Sequence, residues 1–77
     1  DEAEKLLKKA LEINPKGIDS NYFYADYLYE QGQYKRALGF AEQALLADAR
    51  PERPLADAKR RDEVQALIKK ANRKLNK

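Results

Sequence analysis

Gly32-Gln33-Tyr34-Lys35-Arg36-Ala37-Leu38-Gly39-Phe40-Ala41-Glu42-Gln43-Ala44-Leu45 is the stretch that decides the fold. A glycine, a short turn and then an apolar stripe of Ala37, Leu38, Ala41, Ala44 and Leu45 describe a turn feeding an amphipathic helix. Slid back by 34 residues, Ala37, Ala44 and Leu45 fall on Ala3, Ala10 and Leu11, and all six positions lie on apolar helical stripes. A period of 34 with this punctuation marks a helix–turn–helix repeat, and repeats of that kind work by presenting a surface.

The spacing along the rest of the chain predicts four helices in all. The first spans about residues 2–13, where Ala3, Leu6, Leu7, Ala10 and Leu11 recur at i, i+3, i+4, i+7 and i+8 and Asn14-Pro15 stops the run. After a Pro15-Lys16-Gly17 turn, a second helix runs over about 19–31, with Asp19 or Ser20 as its cap and Gly32 as a left-handed stop. It is crowded with Tyr22, Phe23, Tyr24, Tyr27 and Tyr29. The third helix covers about 34–47, and its alanines let two helices approach closely. A two-residue connection between these helices makes them an antiparallel hairpin. Asp48 to Pro54 reads as a loop, with Pro51 and Pro54 as breakers. The last helix runs over about 57–75 on the stripe Val64, Leu67, Ile68, Ala71 and Leu75. The expected core is Leu7, Ala10, Leu11, Tyr24, Ala25, Leu28, Ala37, Ala41, Ala44, Leu45, Val64, Leu67, Ile68 and Ala71. Nothing alternates with period two, so the fold class is all-α.

Composition excludes more than it identifies. At 77 residues there is room for one small domain, which buries about 60–65% of its unfolded surface. Histidine, cysteine and threonine are absent and Ser20 is the single serine. The residues on which nucleophilic and acid–base catalysis mostly draw are therefore missing. The three glycines stand apart, so no phosphate loop exists. We expect no enzyme, no cofactor and no metal site. No apolar run is long enough to span a membrane, and no signal peptide is visible. The chain opens on Asp1, which fits a trimmed fragment, and the compartment stays open.

The residues resemble the tetratricopeptide repeat family. Counting the complete repeat from Ile18 puts Ala25 at the small eighth position and Leu28 at the large eleventh, with Gly32, Tyr34, Ala37, Ala44 and Leu45 at further signature positions. Shifted back by 34, Ala3, Leu7, Ala10, Leu11 and Pro15 match the second helix of a preceding repeat. The resemblance implies a half repeat over 2–14, a full repeat over 18–51 and a sealing helix over 55–76, within one domain over 1–77. Together they form four antiparallel helices, a short right-handed α-solenoid fragment. Asn21 stands where the family often has tryptophan, Ala41 where it often has an aromatic and Ala49 where it often has proline. The first helix lacks its own partner, which fits a truncated array or an apolar face open to another chain. Charge-rich ends such as Glu4-Lys5-Leu6-Leu7-Lys8-Lys9 read like idealised helix sequence, so an engineered scaffold with no natural ligand is the alternative.

In this family the first helix of each repeat lines a concave groove that receives a peptide or a partner helix. The resemblance places Asp19, Tyr22, Phe23, Asp26, Tyr29 and Glu30 there. Tyrosines supply rigid apolar area with a polar tip, and carboxylates supply directional acceptors. Members that clamp a chaperone's C-terminal carboxylate use lysine, arginine and asparagine at these positions. Two carboxylates here repel such a tail, so an apolar and basic protein or peptide is the expected partner rather than an acidic one. Some of these rings can instead fill the core. A third reading comes from charge: residues 50–77 carry ten Lys/Arg against four Asp/Glu, a net of +6, whereas 1–49 carry six against nine, a net of −3. Such a basic helix can follow nucleic acid or an acidic surface, but it has no aromatic for base stacking and reads first as a solvated face. A monomer is favoured over a homodimer.

Overall fold

The computed structural model describes residues 2–47 and 54–76, with side chains from 57 onward in the second segment. It contains α1 (Glu2–Ile13), α2 (Ile18–Glu30), α3 (Tyr34–Leu45) and α4 (Pro54–Leu75), and the described residues include no strand. α2 packs on α3, α3 on α4, α1 on α2, and α4 also touches α2. Short turns reverse the chain after α1 and after α2, and Arg61 near the start of α4 reaches the end of α3. α2 and α4 therefore run one way, and α1 and α3 the other. The thin dimension of 14 Å fits two helix layers.

The alanine stripe of α3 explains the stacking. Ala37, Ala41 and Ala44 are all fully buried, so α2 and α4 both approach the α3 backbone closely. Ile18, Ala25, Ala41, Ala44, Ala47, Val64 and Leu67 form one cluster and Tyr24, Leu28 and Ala37 a second. Phe40 meets the Tyr24 ring edge-on at 4.8 Å and belongs to the rim of both clusters.

Several boundaries and core positions differ from expectation, each for a physical reason. α2 is capped by Gly17 with no side-chain bond, because the Gly17 carbonyl accepts the Asn21 amide at 3.2 Å and starts the helix at Ile18. Asp19 and Ser20 are therefore inside the first turn rather than capping it. The hairpin connection is three residues, Gln31 to Gln33, since α2 ends at Glu30. Gly32 does take the left-handed conformation, with φ +79°. Its amide bonds the Tyr29 carbonyl at 3.0 Å and that of Gln33 bonds Leu28 at 2.9 Å, which is a Schellman closure. α3 ends at Leu45, where the chain tightens: the Ala47 amide reaches back only to Ala44, at 3.2 Å. Pro54 opens α4 instead of breaking the chain before it, since a first-turn proline needs no amide hydrogen. The expected loop over 48–53 and the Pro51 stop lie outside the described residues.

Leu7, Ala10 and Leu11 are half-buried rather than core, because α1 has a neighbour on only one side. Leu45 and Ile68 are likewise at the rim. The interior takes Ile18 and Ala47 in their place, together with Asn21 and Asp57. Asn21 is 2% exposed, and its Nδ2 donates to the carbonyls of Pro15 at 3.1 Å and Gly17 at 2.8 Å. The position at which an aromatic was absent is thus a polar clamp on the α1–α2 turn.

Candidate functional site

α2 turns its remaining faces outward in two strips. Asp19, Phe23, Asp26 and Glu30 recur at spacings of four, three and four, on the side away from the core. Tyr22 and Tyr29 lie beside them, half-buried at the edge of the core and toward α4. The six groove residues read from the sequence are therefore neighbours on one helix. Phe23, at 43% exposure, and Glu30 are the open ones; Asp19, Tyr22, Asp26 and Tyr29 are intermediate. Tyr24 and Leu28 are buried on the opposite side.

The basic helix lies against this surface. Arg60 spans Tyr22 and Phe23, with its guanidinium carbon 5.0 and 4.7 Å from the two ring centroids. Its Nε donates to Asp19 Oδ1 at 2.9 Å and its Nη1 to Glu63 Oε1 at 3.2 Å. Further along, Lys70 Nζ sits 4.8 Å from the Tyr29 centroid, and Lys74 Nζ sits 6.0 Å from that of Tyr34. Distances of this order place the cations within reach of the ring quadrupoles. Arg61 points the other way, donating to the Leu45 and Ala47 carbonyls, where a cation favours the negative end of α3.

These contacts follow from parallel helices. Asp19 and Tyr29 are ten residues apart, as are Arg60 and Lys70; each interval spans about 15 Å of helix. One cation therefore meets each end of the α2 strip. Lys59, Lys69, Lys70, Arg73 and Lys74 are exposed, as a solvated face requires, but that reading missed the contacts with the α2 rings. The available signal was charge complementarity between the two halves combined with equal spacing along two helices that run the same way.

Burial pushes the Tyr22 phenol above its ordinary value of 10.0; Asp26 and Glu63 add to the shift and Arg60 opposes it. The carboxylates thus surround this phenol closely enough to be felt. On the α1 side, the Tyr24 hydroxyl donates to Glu4 Oε2 at 3.1 Å and accepts from Arg36 Nη2 at 3.2 Å. Tyr27 stacks on Tyr24 at 6.2 Å. Burial, then Glu4 and Tyr24, also raise the Tyr27 pKa.

Among the described residues two clefts bear on this surface. The larger, about 610 Å³, lies at the N-terminal end of α2 between Asn14, Lys16, Asp19, Gln43 and Leu46, with one lysine and one carboxylate and no convergent charge. The smaller, about 290 Å³, is lined by Tyr29, Lys70, Arg73 and Lys74. No helix is long and apolar enough to cross a membrane, and no group of three His, Cys, Asp or Glu could hold a metal ion, among the described residues.

Helical hairpins stacked in parallel register, with an outward aromatic and acidic strip, define a helical-repeat protein. A family model for the tetratricopeptide repeat matches residues 1–61, and the chain belongs to that family. Its repeats are protein–protein interaction modules and typically non-catalytic. The match ends at Arg61, inside α4, so the Lys70–Lys74 segment lies beyond it. No curated protein and no solved structure matches the chain.

Proposed function

We propose that the α2 strip of Asp19, Tyr22, Phe23, Asp26, Tyr29 and Glu30 receives a peptide or partner helix bearing apolar and basic side chains. The observation that carries this reading is Arg60. The chain's own guanidinium already lies on two of these rings while paired with Asp19. A ligand arginine or lysine has the same chemistry available beside it, where Asp26 and Glu30 border the half-buried Tyr22 and Tyr29. Phe23 adds an exposed ring to this surface. An acidic ligand gains nothing from these carboxylates.

Calorimetric titration with paired peptides tests the proposal. A leucine- and arginine-containing peptide is expected to bind, its glutamate-substituted twin to bind far more weakly, and Asp26→Lys to reverse the order. Tight binding of the acidic twin that survives Asp26→Lys would sink the reading.

A further inference from the structure

From Val64 to Lys77 the only charged residues are Lys69, Lys70, Arg73, Lys74 and Lys77, with no carboxylate among them. Three of these, with Tyr29, line the cleft of about 290 Å³ where α4 passes the C-terminal end of α2. Two of its cations lie over rings: Lys70 over Tyr29 at 4.8 Å and Lys74 over Tyr34 at 6.0 Å. The two rings brace each other edge-on at 5.2 Å. A ring orients an ammonium group without neutralising it. Among the described residues no carboxylate is ion-paired with Lys70, Arg73 or Lys74. Glu30 is exposed and sits about 100° round the helix from Tyr29.

Three unneutralised cations around one small cleft ask for a compact group with more than one negative charge and several acceptor oxygens. A phosphate monoester is such a group, close to dianionic at neutral pH and with three strong acceptor oxygens. A single carboxylate leaves most of that charge unmatched. A long polyanion fits worse, because toward the other end of α2 and α4 it meets the carboxylates of Glu63, Asp26 and Asp19.

We infer that this cleft is a phosphate-monoester subsite, taking a phosphorylated side chain of a peptide whose apolar and basic residues lie along α2. The cleft itself stands on its own geometry; its place in a longer ligand rests on the α2 strip being the peptide surface.

The test is an amide-shift titration of the full chain with inorganic phosphate at pH 7.5, against sodium chloride at matched ionic strength. A phosphoserine peptide carrying leucine and arginine, and its unphosphorylated twin, follow. Phosphate is expected to give saturable shifts at Tyr29, Tyr34 and residues 70–74. The double variant Lys70→Gln, Lys74→Gln should weaken phosphate binding by about tenfold or more, and the phosphopeptide should bind about tenfold tighter than its twin. A helical circular dichroism spectrum and a cooperative melt, shifted by only a few degrees, show that the variant is folded. Saturation by phosphate, with neither peptide shifting Asp19, Tyr22, Phe23 or Asp26, upholds the cleft and removes the strip reading. Equal binding of both peptides along α2, with no phosphate effect, removes the cleft and leaves the strip. Shifts that sodium chloride reproduces overturn the inference, as does an oligonucleotide bound along the whole of α4 with a steep salt slope.

Discussion

Arg60→Ala removes the contact that joins the basic helix to the aromatic and acidic strip. The Arg60 and Asp19 side chains are 23% and 36% exposed, so their ion pair is partly screened and contributes about 0.5–1 kcal/mol. The guanidinium lies on two rings at 5.0 and 4.7 Å. One cation shared between two faces contributes about 1 kcal/mol, and its aliphatic stem adds a smaller packing gain. The variant should lose about 2 kcal/mol, lowering the melting temperature of a domain this small by roughly 8–16 °C. Circular dichroism melts of wild type, Arg60→Ala, Asp19→Ala and the double variant give the coupling, expected at about 0.5–1 kcal/mol. At 1 M salt the coupling should shrink while most of the Arg60→Ala loss persists, because ring and stem contacts are little screened. The same variant uncovers Tyr22 and Phe23, so a basic, apolar peptide should bind it more tightly. An Arg60→Ala protein as stable as the parent, with no coupling to Asp19, would show that Arg60 does not tie α4 to the α2 strip.

Other consequences follow from single contacts. Asn21→Ala empties a buried site and frees the Pro15 carbonyl; it should cost about 1–3 kcal/mol by urea denaturation, with the turn amides exchanging faster. Gly32→Ala meets no neighbour but must keep φ near +79°, so the loss should be backbone strain of about 1–2 kcal/mol. Arg61→Ala leaves the Leu45 and Ala47 carbonyls without their donor and should speed hydrogen exchange over the last turn of α3. The raised Tyr22 pKa means that its neutral form is favoured in the fold. Its contribution to stability is complete below pH 10 and is lost as the pH rises through the folded value. Spectrophotometric titration should show Tyr22 and Tyr27 ionising late, with the Tyr22 step alone moved earlier by Asp26→Asn.

The sequence made the repeat readable because its signals are local. The Gly32 stop and the alanine stripe each depend on residues within a few turns, the 34-residue offset compares two such local stripes, and each corresponds to an observed element. Burial was less legible. Leu7 and Leu11 have the same apolar spacing as residues of α3, yet only packing on both sides makes a stripe into core. Asn21 looked like a missing aromatic, and nothing local says that a carbonyl-rich turn folds over it. The candidate strip was legible as a set of residues on one helix. Its cations were not, because Arg60 and Lys70 lie some forty residues away in sequence from the rings they cover.

In our proposal the outward face of α2 is the partner surface. Amide-shift mapping of the full chain during titration with a leucine- and arginine-containing peptide tests it most directly. The largest shifts should fall on Asp19, Tyr22, Phe23, Asp26, Tyr29 and Glu30, spread to Arg60 and Lys70, and vanish in Asp26→Lys. Shifts centred instead on the exposed Leu6 and Ile13 of α1, or unaltered by Asp26→Lys, would mean that α2 is not the partner surface.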